Sequence, residues 1–544
     1  MKRQANIWTA LLVILGLSVG FAFVASPTTP TLAASAGKIA GVVKDSTGKT
    51  LRGAIVTVRS GDKSISRYTD RAGRFEIADL KPGMYEVATT ASGYELKATR
   101  KEVAEGPVEV SVTLAPRWGA EHMSTADFMS AIPDANDRFA LENSCTSGCH
   151  NVSWIMRRKG MTARQWSQFI PRMGTAFVIP RMRPAELERI GAVLERYFGP
   201  NSAIPAHKDV QRAEISDEAL RATFRLYEPP SATLPHSVHM GSSGKVYFTE
   251  FDVFTNALGE FDPATETFKE YKMQTPRSGI HNPWVARDGK VWVTLSSVNK
   301  IASLDPATGK ITEYVAPQGA SSHTLREDAA GNIWYSGGGV TKFDPRTQQF
   351  TYYKVPMPAT LPAHVVEAQK AGAPPPANVG TYDLALDSRR NVWFTTSGLG
   401  NIGKLDTKTG EMKLYAVPGA TNMKGIEVDA QDHVWFSSFG DHKLGKFDQK
   451  TERMELYQAP TKRFSPYGIV FDKKGRVWTV DFAGSNITRF DPSTQKFTEF
   501  PLPSPHMMPR FFVMDAQERI WFADFATGRI VAFESGESTV LTRR

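Results

Sequence analysis

Cysteine is nearly absent: only Cys145 and Cys149 occur in 544 residues, so no disulfide framework can hold this chain together. After the first two dozen residues no apolar stretch is long enough to span a bilayer, which excludes a polytopic membrane protein. Basic residues are not clustered either. The net charge of +9 is spread along the chain and no nucleic-acid module is recognisable, so nucleic acid is not an expected partner. What remains, 41% hydrophobic and 22% charged, is the composition of a soluble protein of several domains.

The one long apolar run, 7–24, follows Lys2 and Arg3 and leads through a Pro/Thr-rich stretch to Ala34-Ser35-Ala36. Small residues there have the form a signal peptidase needs, so 1–36 reads as a signal peptide and the mature chain as periplasmic or secreted. An uncleaved membrane anchor is the competing reading; after cleavage no stable span is left.

From about residue 201 to 544 a unit of about 43 residues recurs seven times. Its pivot is an aromatic at Tyr247, Trp292, Trp334, Trp393, Trp435, Trp478 and Trp521. A second mark is an acid at Asp262, Asp305, Asp344, Asp406, Asp448, Asp491 and Glu534. Each unit reads as four short strands that cannot bury their apolar face alone, so the units must pack on one another, and a seven-bladed β-propeller is expected. The segment 223–230 resembles the outermost strand of the other units and is expected to close the ring.

Residues 37–116 read as a separate β-sandwich, with strands at 38–44, 54–59, 74–77, 85–89 and 108–114 divided by Asp-x-x-Gly and Pro-Gly turns. The run G-V-V-K-D-S-T-G-K-T-L-R-G-A-I-V-T-V, then T-D-R-A-G-R-F-E-I and L-K-P-G-M-Y-E-V, resembles the carboxypeptidase regulatory-like (transthyretin-like) family. The resemblance implies a binding or spacer module without chemistry of its own.

Between these parts, 117–200 carries both cysteines in S-C-T-S-G-C-H, with His150 directly after Cys149. A close pair of thiols is a disulfide, a metal clip or a haem attachment, and the adjacent histidine favours the last: two thioethers to one porphyrin edge and an imidazole for the iron. The spacing is C-x-x-x-C-H, one residue longer than usual. Helices are expected at 127–141, 162–173 and 184–197. This order resembles a small class I cytochrome c domain, which implies haem c with a methionine as sixth ligand: Met182 before the last helix, or alternatively Met173. A His/Met haem has a raised potential suited to single-electron transfer.

Registering the repeats places the remaining candidates. Eleven residues before each pivot stand His236, His281, His323, Tyr382, Lys424, Tyr467 and Arg510, at the start of the innermost strand. Three after it stand Glu250, Leu295, Gly337, Thr396, Ser438, Asp481 and Asp524, at the end of the second strand. Both rings belong to one end of a propeller and are expected to frame a common mouth, with acids on one side and histidines beside them. A divalent cation held by Glu250, Asp524 and His236, with Asp481 behind, is expected there.

P-Y-G-I-V-F-D-K-K-G-R-V-W-T-V, G-K-V-Y-F-T-E and N-I-G-K-L-D-T-K-T-G-E-M-K-L-Y are similar to repeats of the virginiamycin B (streptogramin) lyase family over roughly 220–544. The resemblance implies a histidine base and a magnesium ion held by acids; His281 and His323 match its histidine positions and Glu250 its acid. Ser321 and Gly337 near His323, and Gly279 and Leu295 near His281, stand where acids are expected. The expected function is therefore an exported c-type cytochrome whose propeller binds a small molecule, a redox partner protein or a respiratory-chain component. The alternative is a metal-assisted lyase or hydrolase of an ester or lactone, with His281, His323 and His236 as catalytic candidates. A quinoprotein dehydrogenase ranks third, since those propellers have eight blades and another tryptophan motif. The Ala/Pro-rich interruption 355–381, with His364, is expected to be a lid or a docking surface for the cytochrome domain.

Overall fold

The computed structural model describes residues 37–146, 151–176, 182–206, 210, 214–231, 234–252, 254–370 and 373–537, and for 173–176 the backbone only. The expected signal segment, Cys149 and His150 lie outside the described residues. The chain is mainly β. Among the described residues no helix is long and apolar enough to cross a membrane.

The N-terminal sandwich has strands β1 (Gly37–Asp45), β2 (Ile55–Ser60), β3 (Lys63–Tyr68), β4 (Arg74–Leu80), β5 (Gly83–Thr90), β6 (Lys97–Val103) and β7 (Pro107–Leu114). Sheet β4-β1-β7 faces sheet β3-β2-β5-β6. Alternate residues of the two sheets, Ile39, Val43, Val56, Val58, Phe75, Val87, Val110 and Val112 among them, make the core between them. Strands β3 and β6 were not foreseen.

Helices α1 (Thr125–Ala131), α2 (Ala135–Ser144), α3 (Val152–Met156), α4 (Ala163–Ala176) and α5 (Pro184–Phe198) follow. The single helix expected over 127–141 is two helices. Pro133 disfavours helical backbone at Ile132, and Asp134 starts α2 afresh by accepting the N–H groups of Asn136 and Asp137 at 2.9 and 2.8 Å. Ser124 and Asp127 form a reciprocal capping box on α1.

The rest of the described chain is a propeller-like ring of antiparallel four-stranded sheets, six of them separate. The pivot tryptophans are held by a device common to most units: the indole N–H of Trp334, Trp393, Trp435, Trp478 and Trp521 donates to the aspartate six residues earlier at 2.8–3.1 Å. The other oxygen of the same aspartate accepts backbone N–H groups of the turn between the first two strands, as Asp472 does for Lys474 and Arg476. One carboxylate thus fixes both a turn and a core ring.

Strand β8 (Thr223–Tyr227) closes the ring where expected. It pairs antiparallel with Arg529–Glu534, Phe224 opposite Phe533. Its other edge pairs with β3, Phe224 opposite Ser66, so the last sheet of the ring and one sheet of the sandwich are a single eight-stranded sheet.

Candidate functional site

The seven residues eleven before the pivots do converge. The imidazoles of His236 and His281 lie 4.1 Å apart between centroids, His281 and His323 4.0 Å, and His323 and Tyr382 4.1 Å. Lys424 Nζ stands 3.9 Å from the Tyr382 ring centroid and 5.6 Å from that of Tyr467. The hydroxyls of Tyr382 and Tyr467 are hydrogen-bonded to each other. Arg510 lies over Phe525 at 3.9 Å, and Phe525 reaches His236 edge-on at 5.7 Å, completing the circle.

Each sheet positions the ring residue of the next. Two residues after the pivot a hydroxyl donates to the backbone carbonyl of the following ring residue: Thr249 to His281, Thr294 to His323, Ser336 to Tyr382, Thr395 to Lys424 and Ser437 to Tyr467, all at 2.6–2.8 Å. Sequence reasoning passed over these hydroxyls, although Thr or Ser at that position was visible in the repeats. A buried backbone carbonyl needs such a donor.

His281 and His323 are fixed as to tautomer. Their Nδ1–H groups donate to the carbonyls of His323 and Tyr382 at 3.2 and 2.7 Å, which leaves each Nε2 with a lone pair. Burial holds all three histidines below their ordinary pKa, His323 at about 3, and the charges of Arg510 and Lys424 push the same way. They are neutral at physiological pH.

The acids behave otherwise than expected. Glu250, Asp481 and Asp524 each accept the backbone N–H sixteen residues earlier: Leu234 at 3.4 Å, Ser465 at 2.9 Å and Met508 at 2.8 Å. Asp481 also accepts Gly484 N–H and the Asn486 amide, and Asp524 the Thr527 hydroxyl. They tie the loop before each innermost strand to the end of the second strand. Burial pushes Asp481 up to about 7 and raises Asp524 as well. His236 Nδ1 is shared with the Ser237 hydroxyl at 2.8 Å. Each of the acids expected to hold a cation with His236 thus has a backbone N–H partner in its own loop, and among the described residues no group of three or more His, Cys, Asp or Glu is arranged to hold a metal ion.

The helical unit sits on this same end of the ring. Trp154 of α3 stacks on Phe525 at 6.0 Å. Ala126 N–H donates to Ala483 O at 2.9 Å, the Asn151 amide to His506 O, and Arg463 pairs with Glu142 through two nitrogens. Phe525, Phe482, Phe439 and Phe251 all stand four residues after their pivots, on neighbouring sheets, a pattern sequence reasoning missed.

Cys145 ends α2 and is buried in the apolar core of the helical unit with Met129, Trp166, Ile170, Val193 and Phe198; Met182 is half-buried against the same core. One expected attachment thiol and the expected methionine ligand therefore share one apolar interior. Met173 lies in α4, its side chain outside the description. The interruption 355–381 contains α6 (Ala363–Lys370), whose His364 Nε2–H donates to Gly398 O at 2.9 Å while its ring lies 6.4 Å from Phe139 of α2.

Residues 374–540 match the virginiamycin B lyase family profile, and residues 38–115 match that of the carboxypeptidase regulatory-like domain. Among solved structures, a catalytically inactive virginiamycin B lyase from Staphylococcus aureus with quinupristin superposes with a TM-score of 0.50 at 19% identity, covering 57% of this chain and 99% of its own. A streptogramin B lyase does so with a TM-score of 0.50 at 21% identity, covering 57% and 97%. No curated protein sequence matches significantly. The C-terminal part of this chain is accordingly a virginiamycin B lyase-like propeller fold, and its N-terminal sandwich a carboxypeptidase regulatory-like domain.

Proposed function

We propose that the chain is an exported c-type cytochrome in which a seven-bladed propeller presents a bound molecule or partner to a haem-bearing helical unit. The observation that carries this reading is the stacking of Trp154 on Phe525: the helix that follows the C-x-x-x-C-H motif rests on the end of the ring where its seven inner residues meet. Cys145, Cys149 and His150 would hold the haem, with Met182 as the second iron ligand and Met173 as the alternative. The apolar surroundings of Cys145 and Met182 suit a porphyrin, which needs a dry pocket and soft sulfur ligation for a raised potential. Bound haem supplies one-electron chemistry. The chain's own residues pack α2 into the helical core through Ala140, Leu141 and Cys145 and tie it to the ring through Arg463 and Glu142.

The test is a pyridine haemochrome spectrum of protein made with the cytochrome maturation machinery, with and without dithionite. A c-type band that is lost in Cys145→Ala/Cys149→Ala supports the reading; absence of the band in wild type overturns it. Cleavage after Ala36, read by N-terminal sequencing of the mature protein, tests export.

A second reading, a lyase or hydrolase acting on an ester or lactone with magnesium, draws on the neutral, Nδ1-protonated His281 and His323, whose Nε2 lone pairs are in place to accept a proton; their lowered pKa values make them weak bases near neutral pH. The missing acids beside them and the local engagement of Glu250 and Asp524 weigh against it, and fold alone does not carry activity.

A further inference from the structure

A cavity of about 1030 Å³ lies where the sandwich, the helical unit and the ring meet, and none of the seven inner residues of the ring lines it. Three hydrogen bonds between different parts of the chain brace its walls. The Tyr68 hydroxyl donates to Pro501 O, the Arg52 guanidinium to Ile215 O, and Ala126 N–H to Ala483 O at 2.9 Å. The sheet that runs through β3 and β8 holds the sandwich against the ring as well. The shape of the cavity is therefore set before anything enters it, which spares a ligand part of the ordering cost. Its size is that of a site for a small organic molecule, and junctions between domains are where such sites concentrate.

The charges in its walls are already paired. Arg52 stands 3.1 Å from Glu214 and 3.3 Å from Asp217, and Arg117 Nε stands 3.4 Å from Glu121. Glu499 accepts the Thr461 N–H and hydroxyl at 3.0 and 2.8 Å. Asp127 is committed to the capping box of α1, and Lys462 likewise has an interaction partner. A charged ligand would have to displace one of these partners. A neutral ligand with several hydroxyls would not: a guanidinium presents five N–H donors and a carboxylate about four lone-pair positions, so a paired Arg and Glu keep donors and acceptors side by side for it.

The uncharged part of the lining fits the same class. Thr90, Tyr94 and Ser130 bring hydroxyls, which donate and accept alike. Apolar surface comes from Tyr94, from Leu96, which is 67% exposed, and from the prolines at 501, 503 and 505. Small flat faces interleaved with polar groups match a sugar ring, whose C–H face is apolar and whose rim is hydroxyl; a wholly apolar molecule would bury the ion pairs without partners for their remaining valences.

We propose that this cavity binds a neutral oligosaccharide, with a sugar ring against Tyr94 and the prolines and with hydroxyls on the Arg117–Glu121 and Arg52–Glu214 pairs. The site is separate from the inner residues of the ring and needs no haem, so it goes beyond the function proposed above.

The experiment is retention of the full-length protein on an array of immobilised neutral and acidic oligosaccharides. Neutral glycans retain the wild type, acidic ones do so less. Tyr94→Ala and Ser130→Trp each lower the affinity for the retained neutral glycans about tenfold or more, by loss of the aromatic face and by filling of the cavity. Tyr94→Phe, which keeps the ring, holds most of the affinity. Ser130 is exposed on α1, so its variant tests the site even if Tyr94→Ala fails to fold. No neutral glycan retained, a preference for acidic glycans, or retention unchanged in both Tyr94→Ala and Ser130→Trp overturns the proposal.

Discussion

Thr294 Oγ1 donates to the carbonyl of His323 across the boundary between two sheets, at 2.8 Å, and four equivalent hydroxyls do the same around the ring. The geometry of the candidate site is therefore set in part by threonines and serines that are not themselves members of the ring.

Thr294→Val keeps the shape and removes the donor. It should cost about 1–3 kcal/mol, the range for leaving a buried carbonyl unsatisfied, read as a lowered denaturant midpoint with unchanged slope. A midpoint equal to wild type would show that the strap contributes nothing.

Met182→Ala should remove the long-wavelength charge-transfer band of the oxidised haem and lower its potential, while leaving the covalent attachment intact. Persistence of the band in that variant moves the ligand to Met173.

Stability should fall on acidification. Burial holds His323 and His239 at about 3 in the folded chain, against about 6.5 unfolded. The unfolded chain thus binds more protons between those values, so the stabilisation is complete above about 6.5 and is lost as pH falls toward 3, by up to about 1.4 kcal/mol per pH unit for each group. His239 Nδ1 accepts the Val285 N–H at 3.1 Å. In His239→Asn an amide oxygen takes that place without titrating, and the acid limb of a midpoint-versus-pH curve should become shallower.

Asp481 acts in the opposite sense. Raised to about 7, it contributes its stabilisation in full below about 4 and loses it as pH rises through 7. Asp481→Asn should remove that alkaline loss in the same titration; an unchanged slope between pH 5 and 8 would contradict the assignment.

Trp154→Ala should loosen the helical unit from the ring, at about 1 kcal/mol or more for the lost stacking on Phe525. Limited proteolysis should then cut faster between 199 and 222. Arg463→Met should act in the same direction through Glu142, and a digestion pattern like wild type in both would place the hold on the helical unit elsewhere.

Much of this molecule was legible because its repeat is strict: the pivot aromatics and the acids after them mark every sheet, and the residues eleven before them do meet. What the repeat did not reveal about the acids is their second partner: a backbone N–H sixteen residues back donates to each of them. Strand β3 escaped because Ile65 is its one apolar residue on the sandwich core, while Ser64, Ser66 and Tyr68 alternate onto the other face, where Tyr68 is buried against the last sheet of the ring. The strand β6, almost wholly exposed and rich in Lys and Arg, has no apolar face to read. Pro133 was in plain view and should have broken the helix drawn through it.

The double pairing of β8 bears on the order in which the chain is assembled. Strands emerge from the N-terminus onward, so β3 presents an open edge long before Arg529–Glu534 exists, and β8 finds that edge first. Once seated there it offers a prepared template for the final strand, and the sandwich acts as a scaffold that holds the ring's seam open in register until the last segment arrives. A chain without the sandwich must instead bring its two distant ends together unaided, a slower search across about 300 residues of sequence separation.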